Sequence, residues 1–166
     1  EVARTRSRPI PSGQIGVPPA LIFLIVLALI GLAVLIQFNT FAILLGIASL
    51  ATIAIYPFLK RITNWPQIGL GISFSWGALM GWAVQLGNLD WPPVILYLGC
   101  IFWVIGYDTI YAMQDKEDDA LAGVRSTARL FGARAKSLIA FSYSCAITLF
   151  AMSFWMAETG AIAFIG

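Results

Sequence analysis

The chain has 166 residues, 60% of them hydrophobic and 11% charged, with a mean hydropathy of +0.87, whereas a water-soluble domain carries about a quarter charged residues. That composition excludes a soluble globular domain, and no nucleic-acid partner is expected at a net charge of +2. The absence of His excludes zinc or haem chemistry through imidazole.

The opening, Glu1 to Gly16, is polar and basic. It begins without Met and holds no short apolar run with a small-residue cleavage site, so it is expected to be neither a signal peptide nor a natural start. The chain is therefore expected to be a single transmembrane domain over residues 1–166, incomplete at both ends. Charge-poor stretches follow at Val17–Ile36, Asn39–Leu59, Pro66–Leu86, Trp91–Tyr107 and Ser137–Ala157. Each is near the roughly 20 residues that span about 30 Å of hydrocarbon as a helix. These runs are apolar on all sides, without the alternation of an outer-membrane strand, which excludes a barrel. The predicted fold is an all-α polytopic bundle of five transmembrane spans embedded in a lipid bilayer.

Pro18 and Pro19, Pro66, and Pro92 and Pro93 suit the first turns of the first, third and fourth spans. Pro57 is expected to kink the second span or end it early. Trp65, Trp91 and Trp155 fall near span ends, where aromatic rings favour the interface. Gly77 and Gly81 form a small-xxx-small pair that predicts close helix packing. Cys100 and Cys145 sit at mid-membrane depth in different spans and are expected to behave as small apolar residues.

All ten Lys and Arg residues lie on the first, third and fifth connections, and the second, fourth and sixth carry none. Five alternating spans put the odd connections on one side. Positive residues in short loops mark the cytoplasmic side of a bacterial inner membrane or the matrix side of a mitochondrial one.

An apolar span ends in carboxylates in the segment Gly106 to Asp119. At about 100° per residue, Tyr111, Asp115 and Asp119 point to roughly −60°, −20° and +20° relative to Asp108, while Glu117 points the opposite way. Asp108 is expected one to two turns inside the hydrocarbon boundary, where an ionisable group costs about 2.5–3.5 kcal/mol and normally faces a polar cavity or a partner. Carboxylates at a helix C-terminus oppose the macrodipole, so helix stability does not account for them. Spaced i,i+4, Asp115 and Asp119 can present oxygens to Mg²⁺, which takes one or two carboxylates and completes its shell with water and phosphate oxygens. Arg4, Arg8, Lys60, Arg61 and Arg125 all fall on the same side and are candidates for binding an anionic substrate.

These residues resemble the UbiA superfamily of intramembrane aromatic prenyltransferases, most closely its 4-hydroxybenzoate polyprenyltransferase branch. Tyr107-Asp-Thr-Ile-Tyr-Ala-Met-Gln-Asp-Lys-Glu-Asp-Asp119, followed by Gly123-Val-Arg-Ser-Thr-Ala128, is similar to that family's second aspartate-rich motif and the Gly-x-Lys-Ser-x-Ala stretch after it. Arg4-Thr-Arg-Ser-Arg-Pro-Ile-Pro-Ser-Gly13 resembles the segment after the first aspartate-rich motif, and Tyr56-Pro-Phe-Leu-Lys-Arg61 the end of the fourth helix. Arg125 stands where the family usually has Lys, which keeps the charge and changes its geometry. The first motif, Asn-Asp-x-x-Asp, would lie before Glu1, so the chain looks like helices three to seven of about nine and is expected to be inactive by itself.

The resemblance implies transfer of a polyprenyl group from polyprenyl diphosphate to 4-hydroxybenzoate in ubiquinone biosynthesis, with Mg²⁺ held by Asp115 and Asp119. Asp108 and Tyr111 would act as catalytic groups, either lining the allylic cation or, for Asp108, orienting or deprotonating the phenol. The alternatives are another acceptor, such as homogentisate or a naphthoate, and a cation-coupled transporter with Asp108 as its ion site. On the charge placement, single cysteines near Lys60 and Arg125 should react with an impermeant thiol reagent from the cytoplasmic or matrix side, and those near Asn88 and Glu158 from the other. Labelling of positions 88 and 125 from the same side would contradict five spans.

Overall fold

A computed structural model describes residues 6–63, 65–114 and 127–160, apart from the side chains of Lys60, Arg61, Ala128 and Arg129. Every regular element among these residues is helical. Helices α1 (Val17–Leu35) and α2 (Thr40–Ile62) form a hairpin, followed by α3 (Pro66–Phe74), α4 (Gly77–Leu86) and the long α5 (Trp91–Gln114). A short α6 (Thr127–Phe131) and a 3₁₀ turn (Gly132–Arg134) lead into α7 (Ala135–Met156). Helices α1, α2, α5 and α7, the last taken with its preceding turn, are long and apolar enough to cross a membrane.

Helix α1 is apolar all round, and none of its residues is buried. It touches α2 where Leu35 lies over Gly46, at which an added Cβ would sit 2.7 Å from Leu35 Cδ1. Asn39 then serves two helices. Its Oδ1 accepts the Ala42 N–H at 2.9 Å and caps α2, while its Nδ2 donates to the Ala83 and Val84 carbonyls at 2.8 and 3.0 Å. Those carbonyls belong to the last turn of α4, where the Ala83 carbonyl also accepts the Gly87 N–H at 2.9 Å. Gly87 ends α4 in the left-handed region at φ 71°, which glycine adopts at little steric cost. Helix α2 runs on past Pro57 to Ile62, so the proline does not end it.

The third predicted span is not one helix. It breaks at Ser75 and Trp76 into α3 and α4. In hydrocarbon a broken helix must find new partners for its freed polar groups, and a neighbour supplies one for the Ile72 carbonyl. The Tyr97 hydroxyl of α5 donates to the Ile72 carbonyl at 2.8 Å, and Trp76 Nε1 donates to the Leu45 carbonyl of α2 at 3.1 Å. The two rings meet edge-on at 5.9 Å. These contacts are made by residues distant in sequence, so a window of apolar residues does not reveal the break.

Helix α3 is wedged between α2 and α5 by two glycines. Gly69 lies under Leu59 of α2, and a Cβ on Gly71 would come within 3.2 Å of the Ile101 backbone of α5. Against α7, α5 uses Gly99 beneath the Phe150 ring and Gly106 beneath the Tyr143 ring. Trp103 also meets Tyr143 at 4.9 Å, and Ser153 Oγ donates to the Pro92 carbonyl at 2.7 Å. The small residues expected to pack closely, Gly77 and Gly81, have nothing within 4 Å of an added Cβ. Close approach is concentrated instead on the glycines whose faces meet α2, α5 or α7. Trp91 and Trp155 are 68% and 73% exposed, as rings at span ends are expected to be, and both cysteines are free thiols.

Gly99→Val should lower the stability of the protein in detergent by about 1–3 kcal/mol, because the added carbons displace Phe150 and Leu149. Gly77→Ala should stay within about 0.5 kcal/mol of the parent. Thermal unfolding followed by circular dichroism compares the two.

Candidate active site

Helix α5 continues through Gln114, seven residues beyond the predicted end of its span, and so carries Asp108 and Tyr111 on one continuous helix. Asp108 is half-buried. Its carboxylate is near enough to Tyr56 of α2 and to Tyr107 for its charge to act on both. Three polar side chains from two helices thus lie within electrostatic reach of one another. Tyr111 is 60% exposed and meets the Tyr107 ring edge-on at 6.3 Å.

Below this cluster, Cys100, Trp103, Val104 and Tyr107 follow one another on a single face of α5 at helical spacing. With Ser75 and Phe150 they border a cavity of about 420 Å³ beside the α3–α4 break. Tyr107 belongs to both the polar cluster and the cavity wall. An aromatic surface therefore leads from Asp108 toward the middle of the bundle. This arrangement suits a ligand with an apolar body and a polar or charged end.

Of the other residues singled out by sequence, Arg8 is exposed and borders a second cavity of about 850 Å³ between the N-terminal segment and the start of α1. Lys60 and Arg61 occupy the last turn of α2, one turn beyond Tyr56, and their side chains lie outside the described set. Arg4, Asp115, Asp119, Arg125 and the comparison residue Glu117 also lie outside the described residues. Among the described residues, no group of three or more His, Cys, Asp or Glu is placed to hold a metal. Asp115 and Asp119 supply hard carboxylate oxygens, the donor chemistry that Mg²⁺ takes.

Tyr56 and Tyr107 were not singled out by sequence reasoning as functional groups. For Tyr56 the available signal is its place four residues before Lys60, on one face of the helix. For Tyr107 it is adjacency to Asp108. Gln67, Thr109 and Thr127, a buried polar group joining α3, α5 and α6, gave a weaker signal, since isolated polar residues in apolar runs seldom reveal their partners.

The model of the UbiA prenyltransferase family matches residues 1–166. The chain is 47% identical over 137 residues to a mitochondrial 4-hydroxybenzoate polyprenyltransferase of Aedes aegypti, covering 82% of this chain and 31% of the relative. It is 41% identical over 157 residues to a 4-hydroxybenzoate octaprenyltransferase of Tolumonas auensis, covering 95% and 55%. With the mitochondrial 4-hydroxybenzoate polyprenyltransferase of Rattus norvegicus, identity is 40% over 168 residues, covering 100% and 41%. The chain thus spans between about a third and just over half of these relatives' length. Its fold matches an apo structure of a UbiA homolog from Aeropyrum pernix K1 with a TM-score of 0.83 and 28% identity, covering 98% of this chain and 62% of that one. Apolar helices of membrane length, together with these relatives, make this an integral membrane protein.

Proposed function

The chain belongs to the UbiA prenyltransferase family, and from that premise we propose that the whole protein transfers a polyprenyl group from polyprenyl diphosphate to 4-hydroxybenzoate, a step of ubiquinone biosynthesis. The observation that supports this most is Asp108 near the end of a membrane helix, within electrostatic reach of Tyr56 and Tyr107, with Tyr107 also walling an adjoining cavity lined by Trp103 and Phe150. One end of that arrangement suits a charged diphosphate and an aromatic acid, and the other an isoprenoid tail. The names of the relatives favour 4-hydroxybenzoate over homogentisate or a naphthoate. Family membership favours group transfer over cation-coupled transport.

In the proposed reaction the allylic carbon–oxygen bond breaks and diphosphate leaves with the electron pair. The ring carbon beside the acceptor's hydroxyl then bonds to the allylic carbon and loses its proton to the medium. Asp115 and Asp119 would hold Mg²⁺, which when bound neutralises charge on the departing diphosphate. Lys60, Arg61 and Arg125, with Arg4 and Arg8 of the N-terminal segment, supply further positive charge on the same side. Asp108 places a negative charge near the developing allylic cation, and the faces of Tyr107 and Tyr111 add cation–π attraction. The aromatic walls exclude water, which otherwise captures the cation. On the charge placement, this end of the bundle faces the cytoplasm or the mitochondrial matrix.

In the full-length protein, Asp115→Ala or Asp119→Ala should reduce turnover of polyprenyl diphosphate with 4-hydroxybenzoate by at least about a hundredfold, the loss expected for several kcal/mol of electrostatic stabilisation. Glu117→Ala should be mild. Equal damage from Glu117→Ala and Asp115→Ala would contradict the assignment by helical face.

A further inference from the structure

Gly77, the first residue of α4, has none of the structural reasons that usually account for a glycine. Its backbone is not left-handed, since the described glycines with positive φ are Gly13, Gly87 and Gly132. No neighbour occupies the space beside it, because an added Cβ would meet no described atom within 4 Å. In a helix, glycine is less favourable than alanine. What Gly77 does border is the cavity of about 420 Å³ that Cys100, Trp103 and Tyr107 also line.

Helix pairing fixes where along that cavity Gly77 lies. Gly71 of α3 faces the Ile101 backbone of α5. Trp76, five residues further on, meets the Tyr97 ring edge-on at 5.9 Å. The segment carrying the break therefore runs antiparallel to α5 and away from Tyr107, which is ten residues after Tyr97, about 15 Å along the axis. Tyr107, beside Asp108, stands at one end of the cavity and Gly77 at the other. Cys100 lies between them, seven residues or about 10 Å from Tyr107. A cavity of this size is near the lower end of the roughly 300–1,000 Å³ that small-molecule sites occupy. It has room for the first units of a polyprenyl chain, and a longer chain has to continue past Gly77.

We infer that Gly77 is a specificity-determining residue that sets how long a prenyl chain the cavity admits. Identifying the occupant as a prenyl chain rests on the proposed function, in which Asp108 and Tyr107 serve the reacting end. The walls formed by Trp103, Val104 and Phe150 suit the apolar body of that chain. A side chain at position 77 would shorten the cavity from its far end and leave the end at Tyr107 open. Long chains would be penalised and short ones spared.

The experiment compares wild-type full-length protein in nanodiscs with Gly77→Leu and Gly81→Leu, in the presence of Mg²⁺. Gly81 is equally open but does not line the cavity. The first readout is KM for octaprenyl diphosphate and for geranyl diphosphate, with 4-hydroxybenzoate as acceptor. The second needs no acceptor: the rate at which N-ethylmaleimide modifies Cys100, followed by mass spectrometry, with and without octaprenyl diphosphate. Cys145, a free thiol on a separate groove with Phe102 and Phe141, is the internal reference. Gly77→Leu should raise KM for octaprenyl diphosphate at least about tenfold, as lost binding of the chain does, and leave KM for geranyl diphosphate within about twofold. Gly81→Leu should leave both within about twofold. In the wild type, octaprenyl diphosphate should slow modification of Cys100 at least about fivefold by occupying the cavity, leave Cys145 unchanged, and protect Cys100 less in Gly77→Leu.

Equal rises in the two KM values, the same selectivity in Gly81→Leu, or wild-type behaviour of Gly77→Leu would each overturn the inference. Unchanged labelling of Cys100 in an active wild-type protein would overturn it too, since the chain would then lie elsewhere. If Gly77→Leu does not insert stably, Ala78→Leu, the next residue on the cavity wall, is judged by the same outcomes. A wild-type protein inactive toward 4-hydroxybenzoate would count against the proposed reaction, and protection of Cys100 in wild type and variant would then decide the role of Gly77.

Discussion

Hydrocarbon offers no water to an unpaired polar group, and this constraint explains the partners that several polar side chains of the described bundle take. Asn39 caps one helix while pairing with the last carbonyls of another. Tyr97 and Trp76 bind backbone carbonyls around the broken segment. Ser153 ties α7 to the start of α5. Each of these groups serves a backbone that the bilayer cannot serve. Asp108 differs in kind, because it carries a charge that the surrounding hydrocarbon disfavours. The proposed site gives that charge a use.

Helix α5 is where architecture and chemistry meet. One part of its surface receives α3 through Gly71, and another receives α7 through Gly99 and Gly106. Glycine allows the backbones to approach, and Phe150, Tyr143 and Ile101 fill the space gained. A third face carries Cys100, Trp103, Val104 and Tyr107 along the cavity and leads to Tyr111. Packing on two sides holds the helix and with it the backbone that carries Asp108. The route from sequence to function thus runs through small residues that do no chemistry.

Much of this was legible in the sequence. Helices α1, α2, α5 and α7 coincide with long charge-poor runs, and the carboxylate stripe implied a helix continuing past the apolar part of its span, as α5 does to Gln114. Composition and length decide such features locally. The break at Ser75 and Trp76 was not legible, because its compensation comes from Leu45 and Tyr97, 31 and 25 residues from the groups they bind. Gly77 and Gly81 illustrate the same limit: a small-xxx-small spacing identifies a possible contact surface, and only the neighbouring helix decides whether it is used. Asp108 was found because a charge in an apolar run is conspicuous. Tyr56 and Thr127 were not, because tyrosine and threonine are unremarkable in such runs until a partner is known.

The central claim is a division of labour along α5 and the chain that follows it, with charge at Asp108 serving the reacting carbon and charge at Asp115 serving the diphosphate. The two residues are seven apart, about 10 Å along a helix axis, which is too far for one Mg²⁺ with bonds of about 2.1 Å to contact both. Calorimetric titration of the full-length protein in nanodiscs with diphosphate and Mg²⁺, alongside turnover with 4-hydroxybenzoate, tests this most directly. Asp115→Asn should weaken Mg²⁺-dependent diphosphate binding at least about tenfold, the effect of losing about 1.4 kcal/mol, whereas Asp108→Asn should leave that affinity nearly unchanged and lower turnover. Equal loss of diphosphate affinity in the two variants would place Asp108 in the metal site and contradict the account.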